Sequence, residues 1–262
     1  MTILDTIIAE KYKEVEAQKA IMPIAKLEKS EIFKRTAFSL KESLMASASS
    51  GIIAEFKRKS PSKGIINDKL KVEDVTSSYA SAGASGLSVL TDRKFFGGSL
   101  VDLMAARQVN RIPILRKDFM VDEYQIIEAK AMGADVILLI AASLNPEQIK
   151  KLARCAKSLG LEILFEMHAM EELDKIVEEI DMIGVNNRNL KDFSVDIEHS
   201  LNLAQQLPDI FIKVSESGID SPETIKYLKS KGFKGFLIGE NFMKQPSPSI
   251  AFADFVNQLK AK

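Results

Sequence analysis

Residues 51–64 read GIIAEFKRKSPSKG. Ile52, Ile53, Ala54 and Phe56 make a short β-prone apolar run of the kind that forms a buried strand. Side chains on a strand alternate faces, so Ile53, Glu55 and Lys57 point one way and Ala54 and Phe56 the other. A carboxylate and an ammonium at the end of a buried strand are costly unless they are paired or used. Pro61 then breaks the run into a loop that ends at Gly64. Taken alone, the stretch reads equally well as a strand running out into solvent, since charged strand ends are common.

Downstream, apolar runs of the same kind recur between helix-like segments. The strand candidates are Gly51–Phe56, Gly86–Leu90, Ile112–Leu115, Asp135–Ile140, Leu161–Phe165, Met182–Val185, Ile210–Val214 and Gly235–Ile238. Several are apolar throughout, as parallel strands covered on both faces are. The helices between them are clearly punctuated. Asn145-Pro146 and Ser221-Pro222 are N-cap-plus-proline starts, and Gly160 and Gly232 are stops. Asp122 caps a helix whose Tyr124, Ile127 and Ala131 are expected to face inward. Eight strand–helix alternations without a Gly-rich dinucleotide fingerprint after the first strand predict an α/β protein built as a (β/α)8 TIM barrel.

Upstream of residue 51, residues 3–20 place Leu4, Ile7, Ile8, Tyr12 and Val15 at helical spacing. Residues 31–46, with Phe33, Ala37, Leu40 and Leu44, predict a second amphipathic helix. Both precede the first strand, so residues 1–46 read as a helical extension that caps one end of the barrel or covers its active site. The whole chain, 1–262, reads as a single domain; an α/β barrel needs roughly 250 residues.

Composition removes several classes of function. With 36 basic and 36 acidic residues the net charge is zero, which gives no footprint for nucleic acid or an anionic membrane. The one cysteine, Cys155, allows no internal disulfide, which fits a reducing compartment. Two histidines, His168 and His199, do not make a histidine-rich metal site. The N-terminus lacks the apolar core of a signal peptide, and no apolar run approaches the ~18 residues of a membrane span. The expectation is a soluble, cytoplasmic protein whose oligomeric state is open, with a monomer compatible.

In a barrel of this type, function sits at the C-terminal ends of the strands. Those ends carry Glu55 and Lys57 on the first strand, Lys117 on the third and Glu166 on the fifth. Asn186 and Arg188 end the sixth, Glu216, Ser217 and Gly218 the seventh, and Gly239 and Glu240 the eighth. Each alone is an ordinary polar loop residue. Together they bring lysines and carboxylates to one rim, which suits acid–base chemistry. Glycines after the last two strands suit main-chain N–H groups that cradle a phosphate.

These motifs resemble the indole-3-glycerol-phosphate synthase family of tryptophan biosynthesis. The resemblance rests on IIAEFKRKSPSKG at 52–64, ILRKDFMVDEYQI at 114–126, GADVILLI at 133–140 and FEMH at 165–168, then on GVNNRNL at 184–190, VSESGI at 214–219 and FLIGENFM at 236–243. The seven stretches come in order, each at a barrel strand, and span essentially the whole chain. One departure is Glu240, where some members carry a small hydroxyl residue beside the phosphate.

The resemblance implies ring closure of 1-(2-carboxyphenylamino)-1-deoxyribulose 5-phosphate to indole-3-glycerol phosphate, with loss of carbon dioxide and water and without metal or organic cofactor. It implies Lys117 as general acid and Glu166 as the second acid–base group. Lys57 is then the cation for the substrate carboxylate and a candidate for the later dehydration, the assignment of the two lysines to steps being open. Glu55 is a carboxylate that fixes either lysine, and Asn186 a partner for a substrate hydroxyl. Arg188, Glu216 and Ser217 line the same rim. Ser60, Gly218, Gly239 and the main chain at Glu240 are the phosphate candidates, and Phe95, Phe119 and Leu190 the apolar slot for the anthranilate ring. Burial and the neighbouring Lys57 act to lower the pKa of Lys117, and Glu55 and Glu166 counter that effect. Two rival readings are another phosphosugar barrel enzyme, such as a phosphoribosyl isomerase, and a non-catalytic barrel scaffold. The first would share the glycine turns but not the Lys57, Lys117, Glu166 set; the second would need none of these charges.

Overall fold

The structure, a computed structural model, describes residues 2–189 and 194–261. Among them, eight parallel strands close into a barrel. They are β1 (Ile52–Phe56), β2 (Gly86–Leu90), β3 (Ile114–Lys117), β4 (Val136–Ile140), β5 (Glu162–Met167), β6 (Met182–Asn186), β7 (Ile212–Glu216) and β8 (Gly235–Ile238). Each pairs with its neighbours in sequence, and β8 closes onto β1 with Ile53 opposite Leu237. The expected (β/α)8 architecture is therefore present.

Two strands begin and end two residues later than their apolar runs imply. The ladder carries them on, because Lys117 pairs with Leu90 and Glu216 with Asn186 and Leu237. A shift of two leaves the faces unchanged. Strand alternation sorts the apolar residues into two compartments. Ile53, Leu115, Leu138, Leu164, Val214 and Leu237 fill the barrel interior. Ala54, Phe56, Val89, Ile137, Phe165 and Val185 face the surrounding helices. The helix starts and stops follow their signals. Asn145 forms a reciprocal cap with Gln148, Ser221 accepts from the Thr224 N–H, and Gly160 ends its helix at φ +69°.

The N-terminal extension corrects one expectation. Helix α1 (Ile3–Ile21) forms as its spacing implies, capped by Thr2 and Asp5. A four-residue α2 (Ile24–Leu27) follows. The helix expected over 31–46 does not form; turns and extended chain lead to a short α3 (Leu40–Met45). Two carboxylates at the base of the barrel claim this segment's donors. Asp135 Oδ1 accepts from the Phe38 N–H and from Arg35, and Glu162 accepts from the Leu40 and Lys41 N–H groups and from Ser39 Oγ. Such side-chain acceptors compete with the helical ladder. Leu40 and Leu44 then plug the base of the barrel. Gly86 and Gly235 leave them room: a Cβ at those positions would lie 2.6 Å from Leu40 Cδ1 and 3.2 Å from Leu44 Cδ1.

Helix α1 reaches the opposite end. Lys11, almost fully buried, pairs with Asp92 at 2.9 Å and Asp118 at 3.0 Å, in the loops after β2 and β3. Val15 and Leu27 pack on Tyr124, Ala131 and Ile127. On the helix Glu123–Ala131, those three residues therefore face the extension, while Ile126 and Ala129 face the barrel. The extension thus caps the base and also borders the mouth. No helix among the described residues is long and apolar enough to cross a membrane.

Candidate active site

A cavity of about 620 Å³ opens at the C-terminal ends of the strands. Its floor is charged because the inward face of four strands changes from aliphatic to charged at the last residue of the strand or the one before it. Ile53 is followed on that face by Glu55, Leu115 by Lys117, Leu164 by Glu166 and Val214 by Glu216. Lys117 stands between two of these carboxylates. Its Nζ lies 2.8 Å from Glu166 Oε2 and 2.7 Å from Glu216 Oε2. Lys57 Nζ lies 2.8 Å from Glu55 Oε1, and Ser88 Oγ donates to Glu55 Oε2 at 3.4 Å. Asn186 Nδ2 donates to Glu166 Oε1 at 2.9 Å, and His168 Nε2 reaches the same oxygen at 2.9 Å. Two bare positions make this crowding feasible. A Cβ on Gly184 would collide with Glu216 Oε1, and a Cβ on Gly239 would lie 2.5 Å from Glu55 Oε1.

The electrostatics follow from this packing. Burial by itself would lower Lys117, but Glu166, Glu216 and Glu55 outweigh it and hold the ammonium above the ordinary lysine value. Of the opposing influences the carboxylates prevail: Lys117 pairs with Glu166 and Glu216, while Lys57 pairs with Glu55. Burial by itself would raise Glu166, but Lys117 and His168 hold its carboxyl well below the usual range. Glu216 goes the other way; burial pushes it up to about 7 against the pull of Lys117, and the Glu166 charge adds to the rise. The difference lies in their donors. Glu166 accepts from Lys117, Asn186 and His168, whereas Glu216 Oε1 has no hydrogen-bond partner among the described residues.

The other side of the mouth is built from turns. Ser217, at φ +69°, is the single non-glycine residue with positive φ among those described, and Gly218 follows at φ +69°. Asn187 supports this turn by donating to Ser217 O at 2.6 Å and to Ser215 Oγ at 3.1 Å. A strained backbone of this kind persists where its surroundings enforce it, often at ligand sites. Across the mouth, a small hairpin pairs Lys59–Ser60 with Gly64–Ile65, and Ser60 Oγ accepts from the Lys63 N–H. Glu240 lies 3.5 Å from Arg188 and 3.9 Å from Lys63.

Glu55, Lys57, Ser60, Lys117, Phe119, Glu166, Asn186, Arg188, Glu216, Ser217, Gly218, Gly239 and Glu240 all line this cavity. Phe95 does not. It is Phe96 that lines the cavity and packs on Phe119 at 5.9 Å, while the Phe95 N–H is tied to Asp92 and its ring lies under Lys94. Alternation says nothing about a loop, so the sequence does not decide which of two adjacent phenylalanines turns inward. Leu190 lies outside the described residues. Sequence reasoning passed over His168, although it follows Leu164 and Glu166 on the same face and the same alternation rule includes it. It also passed over Lys63 and the Ile3, Leu4 and Ile7 wall contributed by α1; no local signal places a remote helix at the mouth.

Known proteins resemble this chain over nearly its whole length. The family model described as "Indole-3-glycerol phosphate synthase" matches residues 4–255. A Bacteroides thetaiotaomicron protein named indole-3-glycerol phosphate synthase is 52% identical over 258 residues, covering 98% of this chain and 99% of that protein. A protein of the same name from Dechloromonas aromatica is 42% identical over 255 residues, covering 96% and 97%. Among solved structures, tryptophan synthase subunit alpha from Legionella pneumophila superposes with a TM-score of 0.61 at 14% identity, covering 84% of this chain and 95% of that one. At that identity the likeness is one of fold, and it agrees with the barrel. The match across nearly the full length at up to 52% identity settles the relationship: the chain belongs to the indole-3-glycerol phosphate synthase family.

Proposed function

We propose that this chain, acting as a single barrel domain over residues 1–262, closes the ring of 1-(2-carboxyphenylamino)-1-deoxyribulose 5-phosphate. Carbon dioxide and water are lost and indole-3-glycerol phosphate is formed. The observation that carries the residue roles is Lys117 gripped between Glu166 and Glu216 on the floor of the mouth.

In the first step the aryl carbon attacks the ribulose carbonyl carbon, and charge grows on the carbonyl oxygen. Lys117 is the donor beside that oxygen. Its raised pKa means that it acts as a fully charged, fixed cation, which gives its proton to an alkoxide more basic than itself. Loss of carbon dioxide restores the aromatic ring. Removal of the hydroxyl as water then needs a base for the proton released and an acid for the leaving oxygen. Glu166, ionised and fixed by three donors, is the base. Lys57, anchored on Glu55, holds the substrate carboxylate in the first step and stands near the leaving hydroxyl in the last. Asn186 contributes its amide to a substrate hydroxyl, with Arg188, Glu216 and Ser217 around it.

Phe119 and Phe96, with Ile7 and Leu4 of α1, supply the apolar slot for the anthranilate ring. The phosphate is proposed to lie over the turns at Gly218 and Gly239, with Ser60 and the main chain at Glu240 as donors. Every residue of this scheme belongs to one chain, so a monomer suffices, and a cytoplasmic setting fits a chain with one thiol. The test is to mix the protein with the carboxyphenylamino substrate and follow ultraviolet absorbance. Appearance of the indole chromophore supports the reading. A sugar isomerisation that leaves the chromophore unchanged would favour the phosphosugar isomerase alternative.

A further inference from the structure

His168 is the first residue after β5, and Leu164, Glu166 and His168 share the inward face. Its side chain is 11% exposed and lines the cavity. Its main chain is held from below: Glu172, itself buried, accepts from the His168 N–H at 2.7 Å and the Ala169 N–H at 3.2 Å. The ring is thereby aimed at Glu166, with Nε2 at 2.9 Å from Oε1. Glu166 is ionised and can only accept, so Nε2 carries the hydrogen of this bond. Asn186 Nδ2 donates to the same oxygen.

A carboxylate oxygen has two lone-pair directions. Among the described residues, Oε1 of Glu166 uses both, on His168 and Asn186, whereas Oε2 uses one, on Lys117. We propose that His168 is a positioning residue for Glu166: its bond to Oε1 helps to saturate that oxygen and leaves Oε2, beside Lys117, as the one that exchanges a proton with substrate. The inference rests on the reading of Glu166 as the acid–base group. Burial would lower the His168 pKa, but Glu166, with Glu172 and Glu216, raises it, which agrees with a ring that donates firmly to a carboxylate.

The experiment is a double-mutant cycle read in kcat and KM, using His168→Leu, Glu166→Gln and the two combined. His168→Leu should lower kcat by roughly 10- to 100-fold, the scale of one hydrogen bond to a charged group, with KM within about three-fold of the parent. His168→Gln, whose amide nitrogen reaches where Nε2 stood, should recover most of that kcat. In the Glu166→Gln background the leucine change should cost almost nothing further, because there is no carboxylate left to position. Multiplicative losses in the double variant, or a glutamine variant as slow as the leucine one, would overturn the proposal. If leucine prevents folding, His168→Asn, polar but too short to reach Glu166, replaces it, and parent-like kcat in that variant overturns the proposal equally. Parent-like turnover in Glu166→Gln alone would instead sink the reading of Glu166 itself.

Discussion

Gly184 on β6 is bare where the Glu216 carboxylate of β7 lies over it; a Cβ at position 184 would collide with Glu216 Oε1. The two positions lie on neighbouring strands, where Gly184 pairs with Val214 and Asn186 with Glu216. The glycine therefore sets how deep the Glu216 carboxylate sinks, and with it the second oxygen that grips Lys117.

Gly184→Ala should consequently push Glu216 off Lys117 while leaving the barrel folded, because the strand itself tolerates alanine. Turnover is expected to fall roughly tenfold or more, the effect of about 1.4 kcal/mol on the barrier. Steady-state kinetics with a circular dichroism control would check it. Parent-like kcat would show that the Glu216–Lys117 contact is dispensable.

Glu216 has its folded pKa raised to about 7 from an ordinary 4.5. A raised pKa means that the native state holds the proton more tightly than the unfolded chain. The associated stability is complete below about pH 4.5 and is lost as pH rises through about 7. Glu216→Gln carries no such charge. The difference in melting temperature, variant minus parent, should rise between about pH 4.5 and 7, where the unfolded parent loses a proton that native Glu216 keeps, and level off above that. Thermal unfolding of both proteins across that range decides it; a difference independent of pH would contradict the assignment.

Much of this arrangement is legible in the sequence, and the limits are physical. Strand alternation over Ile53-Ala54-Glu55 or Leu164-Phe165-Glu166 fixes which side chains enter the barrel, since the period of two survives any two-residue error in the ends. The same rule reaches His168. It stops where the chain leaves the ladder, as at Phe95 and Phe96, whose N–H groups both bond to Asp92 in the loop after β2. It fails for residues 31–46, whose apolar spacing is helical but whose donors are claimed by Asp135 and Glu162, roughly one hundred residues away in sequence. The sign of the Lys117 pKa shift was equally out of reach, because it depends on which charges stand closest in space.

Asp135 offers a test of the extension's anchorage. Fully buried, it accepts from Arg35, Arg107 and the Phe38 and Ile114 N–H groups. Asp135→Ala leaves Arg107 buried without its carboxylate, a type of change that costs about 3–5 kcal/mol. Urea unfolding should show a loss on that scale. A loss below ~1 kcal/mol would mean that the base of the barrel does not depend on this cluster.

Gly218 lies at φ +69°, with Val195 Cγ1 occupying the space a Cβ would need. Gly218→Val introduces both a strained β-branched residue and a collision, which re-aims the turn proposed to hold phosphate. KM should rise by roughly tenfold or more, with a smaller change in kcat. An unchanged KM would move the phosphate elsewhere.

The most direct test of the account is Lys117→Met, measured for kcat, KM and folded fraction. Methionine keeps most of the stem and removes the ammonium from between Glu166 and Glu216. General acid–base groups contribute about 10² to 10⁴-fold in rate, so the folded variant should lose turnover on that scale while still binding substrate. A folded Lys117→Met that turns over within a few-fold of the parent would contradict the account and pass the acid role to Lys57.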